Sequence, residues 1–414
     1  MNAFLVFGLM ASATTKLPLP DVNHKAVKIA EVAGWKDGEM PKVPEGFEVK
    51  RFADSLDNPR WVYTLPNGDV LVAESNSVAK IAKGQEKVED PKKAARRGTS
   101  ANRITLLRDK DGDGKAELRE TFLGNLNQPL GMLLVKSDFY VANTDSIWKY
   151  TYSKDATKIE GKGQKILDLT AGGYNNHWTR NIILSDDGKK IYISVGSSSN
   201  VAEHGIEEEK NRANILEINL DGSGLRVLAS GLRNPVGMDI DPVSKKLWTA
   251  VNERDNLGDD LVPDYITSVK DGGFYGWPYS YFGQNEDPRL KGQNPKLVAS
   301  AIVPDLAVGS HTASLGLAFQ KSKNFPAKYQ GGVFIGQHGS WNRSAFSGYK
   351  VTFVPFKDGK PSGEMEDFVT GFIKDEAKPS VYGRPVGVAF TSAGNLLVAD
   401  DAGDSIWQVS PRKK

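Results

Sequence analysis

The chain has 414 residues, of which 39% are hydrophobic, and a formal net charge of +2 at pH 7. A chain of this length can bury a large core, and a nearly balanced charge argues against nucleic acid as a main partner. There is no cysteine, so disulfides, thiolate catalysis and cysteine-bound metals are excluded. No stretch approaches the ~20 consecutive apolar residues that a membrane-spanning helix requires, so we expect a protein that does not cross a membrane.

The N-terminus has the features of an atypical signal peptide. Residues 1–13 contain a short apolar run and end in Ala11-Ser12-Ala13, an end typical of a cleavage site, but no basic residue precedes the run. We therefore predict that the protein is periplasmic or secreted. Residues 14–45 carry several prolines and little periodicity, and we expect them to wrap over the surface of a domain that occupies residues 46–414.

A polar residue, a proline and a glycine recur along the chain in front of strand-like runs. The clearest copy is residues 231–240, and further versions begin at Asn58, Gln128, His177, Ser314 and Arg384. In most copies an apolar run, a turn signal and a second apolar run follow, which is the pattern of a β-hairpin. Six copies, separated by roughly fifty to eighty residues, predict an all-β fold, a six-bladed β-propeller with long inserted loops. A two-sheet β-sandwich is the alternative.

Residues 109–120 have the oxygen-ligand spacing of a twelve-residue calcium loop. The flanking segments look like strands, so the pattern predicts a calcium-binding hairpin rather than an EF-hand. The predicted ligands are the side chains of Asp109, Asp111, Asp113 and Glu120 and the backbone carbonyl of Lys115. An Asp/Gly-rich turn without metal is the alternative.

In a propeller the equivalent position of every repeat lies at the same radius, so residues that open the first strand of each copy form a ring around the channel. The predicted ring is polar and basic, and consists of Asn58, Arg60, Gln128, His177, Arg233, Asn234, His311, Thr312 and Arg384. Because arginines make bidentate contacts with carboxylates, the ring predicts an anionic small molecule at the channel mouth. Taken singly, each residue could equally cap a strand end.

Two further segments follow Arg233. The acidic residues 252–264 are dense in oxygen donors, and we predict a second cation site there with Glu253 and Asp255 as ligands. Residues 272–278 form an aromatic, glycine-rich loop that could wall a flat ligand or simply pack against its own sheet. The last strand is predicted at residues 405–410, and we expect it to pair with the first strand at residues 46–52, because closed propellers commonly complete one sheet from both chain ends.

Four of these features together resemble the soluble glucose/sorbosone dehydrogenases. They are residues 232–237, the acidic loop after them, residues 272–278, and His177 within residues 175–181. The resemblance runs from about Gly46 to the C-terminus. It implies a six-bladed propeller that uses pyrroloquinoline quinone (PQQ) and calcium, oxidises a sugar and passes electrons to an external acceptor.

The resemblance also implies roles for single residues. His177 corresponds to the general base, Arg233 and Asn234 to residues at the quinone oxygens, and Arg384 to an arginine at a cofactor carboxylate. Gln128 is similar to a glutamine near the substrate. The chemistry agrees, because removing a hydride from an alcohol carbon requires a base near neutral pKa for the hydroxyl proton, and cationic donors stabilise a reduced, more anionic cofactor.

The chain departs from the family pattern at two places. Ser197 stands where glucose-oxidising members have a carboxylate that orients the base. Residues 337–343 stand where those members have a cofactor-binding lysine, so Arg343 or His338 is the candidate for that role. These departures favour a sorbosone-dehydrogenase-like member over a glucose dehydrogenase, and they leave room for a member without activity. If His177 is not the base, His311 and His338 are the next candidates.

Two other functions compete with this interpretation. A calcium-dependent lactonase-type propeller would hydrolyse an ester with metal-activated water, but it needs several side-chain carboxylates facing the channel. A non-catalytic propeller used as a binding platform would rely on an exposed apolar or aromatic patch rather than on a polar ring.

Overall fold

The computed structural model describes residues 16–24, 26–78 and 99–412, and the predicted signal peptide at residues 1–13 lies outside this part of the chain. The described residues consist mainly of strands and loops, which confirms the predicted all-β class. Helices within these residues are short: an α-helix at Pro295–Ala299 and 3₁₀ helices at Ile206–Glu209, Pro288–Leu290 and Ala327–Tyr329.

Six sheets of four or more strands contain most of the strand residues of the described chain. Sheet 1 contains Pro59–Thr64, Val70–Glu74, Arg103–Arg108 and Leu118–Leu123. Sheet 2 contains Met132–Val135, Asp138–Ala142, Ser146–Thr151 and Gln164–Asp168. Sheet 3 contains Arg180–Leu184, Lys190–Val195, Asn214–Asn219 and Arg226–Ser230, with the short strand Gly273–Phe274 added in parallel at its edge.

The other three sheets repeat this order. Sheet 4 contains Pro235–Ile240, Leu247–Val251, Pro263–Ser268 and Leu306–Ser310. Sheet 5 contains Ser314–Phe319, Val333–Gln337, Lys350–Val354 and Glu366–Val369. Sheet 6 contains Pro385–Phe390, Leu396–Asp400, Ser405–Pro411 and Phe47–Ala53. Short strands pair outside them: Ser280–Tyr281 with Asn285–Glu286, Phe356–Lys357 with Lys360–Pro361, and Ser380–Val381 with both Glu31–Val32 and Ile373–Asp375.

Sheet 6 joins the two ends of the described chain. Phe47–Ala53 pairs antiparallel with Ser405–Pro411, from Phe47 opposite Pro411 to Ala53 opposite Ile406. The predicted pairing of the first and last strands is therefore confirmed. The number of separate sheets also rules out the two-sheet sandwich.

The second strand of several sheets is buried on both faces. Every residue is buried in Val70–Glu74, Leu247–Val251, Val333–Gln337 and Leu396–Asp400. Sheets covered on both faces select continuous apolar runs instead of alternating patterns, which explains why the second run of these repeats, such as Leu396–Asp400, is mostly apolar without alternation. The core therefore lies between neighbouring sheets, as where Trp248 of sheet 4 packs edge to face on Phe319 of sheet 5.

The glycine of the repeat allows the first strands of neighbouring sheets to come close together. A Cβ atom on Gly316 would lie 2.2 Å from the carbonyl oxygen of Val386 in the first strand of sheet 6. A Cβ atom on Gly237 would lie 2.5 Å from the carbonyl oxygen of Leu315 in sheet 5. Only a residue without a side chain fits at such distances, so the repeated glycine is a requirement of packing.

Candidate functional site

The first strands and the loops beside them surround a cavity of about 220 Å³. Seven of the nine residues predicted to form a ring line this cavity: Asn58, Arg60, His177, Arg233, Asn234, His311 and Arg384. They come from sheets 1, 3, 4, 5 and 6, and each lies at or before the start of a first strand. The equivalence of the repeats therefore brings distant residues to one place.

A second group of residues lines the cavity, and the sequence did not predict that they would lie together. These residues follow the second strands of the sheets and include Asn76, Asn252, Asp255, His338, Trp341 and Asp401. The signal was present, because each of them comes shortly after the second apolar run of its repeat. In a sheet whose first strand runs away from the cavity, the antiparallel second strand returns to it.

His177 is held by hydrogen bonds on both sides of its ring. Its Nδ1 atom lies 3.0 Å from the carbonyl oxygen and 2.9 Å from the Oγ atom of Ser197. Its Nε2 atom lies 3.2 Å from Nδ2 of Asn176. The fully buried Arg180 donates to the backbone carbonyl of His177 at 2.7 Å, which fixes the loop that carries the imidazole. Ser197 thus contacts the imidazole at Nδ1 through both its backbone carbonyl and its hydroxyl.

Arg233 lines the cavity, but its guanidinium is bound to the protein. Its five N–H groups point at the carbonyl oxygens of Asn200, Asn252 and Glu253, at Oδ1 of Asn200 and at Oδ2 of Asp255, over distances of 2.6–3.4 Å. Its side chain is only 1% exposed. Arg233 therefore contributes positive charge to the wall rather than an open bidentate fork.

Arg60 has more capacity for a ligand than Arg233. Its Nη1 atom binds Asp401 at 2.5 Å and its guanidinium lies 5.4 Å from the ring centre of Trp178. Its Nε atom is buried without a hydrogen-bond partner among the described residues, as is Oδ1 of the neighbouring wall residue Asn234. Arg384 is partly exposed. Its Nε donates to the carbonyl oxygen of His338 at 3.0 Å, and its Nη2 donates to that of Gly339 at 2.8 Å.

The two candidates for the missing lysine are corrected by the structure. Arg343 does not line the cavity, because it donates instead to the carbonyl of Asp259 at 3.0 Å and to Asp260 at 2.7 Å. His338 lines the cavity and binds Asp401 at 2.9 Å, but burial and then the charge of Arg384 lower its pKa to about 4. His338 is therefore uncharged near neutral pH and does not replace a lysine.

The carboxylates of the cavity are paired with cations. Burial opposes the ionisation of Asp401, but the charges of Arg60 and Arg384 and a hydrogen bond from His338 hold its pKa well below the usual range. Asp255 lies 3.4 Å from Arg233 and 3.6 Å from Nδ1 of His311. Burial disfavours the charged imidazole, yet the hydrogen bond and charge of Asp255 raise the pKa of His311.

Gln128 and Thr312 do not line this cavity. Gln128 lies in a neighbouring cavity of about 430 Å³, with Asn127 and Asp145, and its Nε2 donates to the carbonyl of Asn76 at 2.8 Å. Trp178 forms part of the wall of both cavities. Thr312 is buried and donates to Asp264 at 2.8 Å.

The structure replaces one of the predicted ligands of the calcium loop, Glu120, by Glu117. Asp109, Asp111, Asp113 and Glu117 place one ligand oxygen each within 4.8 Å of one another, mostly at exposed positions. Glu120 does not join them, because a strand begins at Leu118 and sets Glu120 opposite Leu106. Lys115 is exposed, and its N–H donates to Asp113 at 2.8 Å. The loop does not line the central cavity. It is held from outside by Lys50, which donates to the carbonyl of Asp113 at 2.6 Å.

The acidic loop does not form the predicted second cation site from side chains. Among the described residues, the cluster around Asp109 is where three or more possible ligands come within reach of one ion. Glu253 is buried away from the cavity, and this burial raises its pKa to about 7. Asp255 faces the cavity but is paired with Arg233 and His311, as described above.

The aromatic loop packs inside the protein instead of lining the central cavity. Tyr275 is buried and donates to the carbonyl of Ser268 at 2.7 Å, and Trp277 donates to the carbonyl of Asn200 at 2.9 Å. Phe274 belongs to the short strand at the edge of sheet 3. Through Asn200, which also binds Arg233, this loop supports the cavity wall from behind.

No helix in residues 16–24, 26–78 or 99–412 is long and apolar enough to span a membrane.

Comparison with known proteins assigns the class that the fold and cavity suggest. A model of the TrAA12-like family matches residues 41–265 and 286–412, and the chain belongs to this family. The resemblance inferred from the sequence is confirmed at this level. An uncharacterized protein of Borreliella burgdorferi is 26% identical over 382 residues, which cover 89% of this chain and 90% of that protein.

A PQQ-dependent pyranose dehydrogenase of Coprinopsis cinerea is also 26% identical, over 88% of this chain and 54% of that protein, so the match spans about half of the relative's length. The holo form of the PQQ domain of a pyranose dehydrogenase from Coprinopsis cinerea has a TM-score of 0.72 at 20% identity, covering 92% of this chain and all of that one. A calcium structure of the family AA12 protein of Trichoderma reesei has a TM-score of 0.74 at 17% identity, covering 90% of this chain and 97% of that one. The protein thus shares its fold with these proteins.

Proposed function

We propose that the protein is a PQQ-dependent dehydrogenase that oxidises an aldose or related sugar aldehyde, and that its six sheets are the blades of a six-bladed propeller. Membership of the TrAA12-like family supports the proposal. The observation that carries it is the position of His177, which lies at the wall of a cavity lined by Arg60, Arg233 and Arg384 and is held by Ser197.

The donors of the cavity suit an anionic quinone. Arg60 and Arg384 would hold its carboxylates, because the Nε atom of Arg60 is buried without a partner in the described structure and Arg384 is partly exposed. Asn234 also has a buried amide oxygen that lacks a partner there, so it would contact a polar edge of the cofactor. Once bound, PQQ would supply the acceptor for a hydride from the sugar carbon.

The residues of the chain then perform the proton chemistry. His177 would take the proton of the substrate hydroxyl, which raises the electron density on the carbon that loses the hydride. Arg233 cannot turn toward a ligand without losing contacts to three backbone carbonyls, so its role is to stabilise negative charge from a fixed position. The paired carboxylates of Asp255 and Asp401 disfavour the lactonase alternative, because neither is available to hold a catalytic metal.

We also propose that calcium binds the loop formed by Asp109, Asp111, Asp113 and Glu117. Four carboxylates within 4.8 Å of one another repel each other unless a cation lies among them. The loop is remote from the cavity, so this calcium would stabilise the fold.

For localisation, residues 1–13 support export to the periplasm or the medium, which cell fractionation would test.

The catalytic role is tested by comparing His177→Ala with His204→Ala. A general base contributes about 10²- to 10⁴-fold to turnover, so we expect a loss of that size in His177→Ala, with nearly unchanged PQQ affinity because the arginines remain. His204 does not line the cavity and serves as the control. The measurements are PQQ titration by absorbance and steady-state kinetics on the saturated protein with a panel of sugars. Near-normal turnover in His177→Ala would move the base to His311 or His338.

A further inference from the structure

We propose that Ser197 and Glu209 are positioning residues that fix His177 in the tautomer with the proton on Nδ1, which makes Nε2 the nitrogen that acts as base. The kinetic consequence rests on the proposed function, whereas the tautomer is a property of the protein without cofactor. The donors and acceptors around the imidazole determine this tautomer.

Ser197 has a single hydroxyl hydrogen, and it is already used. The Oγ atom of Ser197 lies 2.6 Å from the carbonyl oxygen of Ser199, which can only accept. Toward Nδ1 of His177, at 2.9 Å, the same Oγ atom must therefore act as acceptor. The carbonyl oxygen of Ser197, at 3.0 Å, is also an acceptor. Both neighbours require that Nδ1 carries the proton.

The opposite side of the ring agrees with this assignment. The amide nitrogen of Asn176, a donor, lies 3.2 Å from Nε2. A donor beside Nε2 requires a lone pair on that nitrogen, because the tautomer of a neutral imidazole is set by the hydrogen bond at each nitrogen. Asn176 and His177 both line the cavity, so this lone pair lies where a substrate hydroxyl would bind.

Glu209 fixes the serine segment from behind. It lies at the end of the 3₁₀ helix Ile206–Glu209, and its side chain is buried. One carboxylate oxygen accepts from the N–H of Ser198 at 2.6 Å and the other from the hydroxyl of Ser199 at 2.5 Å. These two hydrogen bonds tie residues 198 and 199 to the buried Glu209 and so restrain the segment that carries Ser197. The carboxylate of Glu209 thus acts on His177 through the serine segment and not by direct contact.

This arrangement differs in its effect from a direct carboxylate. A carboxylate on Nδ1 would orient the ring and also stabilise the imidazolium, whereas a serine orients the ring and adds no charge. Replacing Ser197 with Asp therefore should retain the tautomer and move the titration of the base upward. Loss of Glu209 should instead loosen the orientation.

The first experiment is ¹⁵N NMR of cofactor-free protein labelled at its five histidines, with His177→Gln used to assign the signal. We expect the wild type at neutral pH to show a protonated Nδ1 and an unprotonated Nε2. In Glu209→Gln and Ser197→Ala, which loosen the segment or remove one of the two acceptors at Nδ1, we expect a larger share of the tautomer protonated on Nε2 than in the wild type, although the carbonyl oxygen of residue 197 remains. The exposed neighbour Glu207 provides the matched control, Glu207→Gln, which should keep the wild-type pattern. A proton on Nε2 in the wild type would overturn the proposal.

The second experiment measures kinetics on the same variants. Partners that orient metal-binding histidines contribute about 10- to 100-fold, and we expect an effect of similar size here, so Glu209→Gln and Ser197→Ala should lower kcat by that factor with little change in KM. Ser197→Asp should have a higher turnover than Ser197→Ala. Compared with the wild type, it should shift the acidic limb of the pH profile of kcat/KM upward by about one pH unit. Wild-type kcat in both Glu209→Gln and Ser197→Ala would refute the positioning role. If the wild type oxidises no sugar, the NMR result still decides the tautomer.

Discussion

Substitution of Gly316 by Ala tests whether the first strands form a closely packed ring. The new Cβ atom would lie 2.2 Å from the carbonyl oxygen of Val386 and 3.0 Å from the amide nitrogen of Val388. Both neighbours are backbone atoms of a strand in sheet 6, so no side chain can rotate away. The two sheets must separate by about 1 Å, and overpacking of this kind costs about 1–3 kcal/mol or more. We expect Gly316→Ala to reach the upper end of that range.

Gly172→Ala is the matched control. A Cβ atom on Gly172 meets nothing within 4 Å, and the backbone there is not left-handed. Its free energy of unfolding should therefore stay within about 0.5 kcal/mol of wild type. The assay is urea unfolding followed by tryptophan fluorescence, with the midpoints of the three proteins compared. Equal midpoints for Gly316→Ala and Gly172→Ala would refute the packing argument.

Three further predictions concern calcium, the cofactor and acid. Asp111→Ala with Asp113→Ala should abolish most of the increase in melting temperature that calcium gives, because a ligand of the folded state stabilises it by mass action; an unchanged increase would place the ion elsewhere. Arg384→Lys keeps the charge but loses the planar fork, so PQQ titration should show weaker binding, and wild-type affinity would remove Arg384 from the cofactor site. His338 has a pKa of about 4 in the folded protein, below its ordinary value of 6.5, so the unfolded chain takes up the proton first and stability is lost as the pH falls through this window. In His338→Gln the free energy of unfolding, obtained from urea unfolding curves, should depend less steeply on pH in this window, by about 1.4 kcal/mol per pH unit; the same slope as wild type would contradict the assignment.

The sequence was sufficient for features that follow from the repeat. Arg60, His177 and Arg384 are far apart in the chain, yet each opens a first strand, so equivalence of position predicted that they would meet. The period of a regular strand determines on which face each side chain lies, and a single sequence is enough to reveal this period. The second strands offered the same signal for Asn76 and Asp401, which the sequence analysis did not use.

Features that depend on loops could not be predicted in this way. Arg343 lies five residues from His338, but no period says which side chain of an irregular loop turns inward, and Arg343 turns toward Asp260. The calcium ligand at Glu120 was taken from a motif that normally continues into a helix, whereas here a strand begins at Leu118 and leaves Glu117 in the cluster. The contact of Glu209 with residues 198 and 199 depends on a short 3₁₀ helix that has no periodic signature.

The pairing of Phe47–Ala53 with Ser405–Pro411 also bears on biosynthesis. Residues 47–53 leave the ribosome early, but the strand that covers their hydrogen-bonding edge is translated more than 350 residues later. Until then sheet 6 is incomplete and exposes unpaired backbone groups, which invite pairing with other chains. Contacts between such distant residues also slow folding. Sheet 6 is therefore completed only after residues 405–411 have been made, and the edge of residues 47–53 stays open to other chains for as long as this partner is missing.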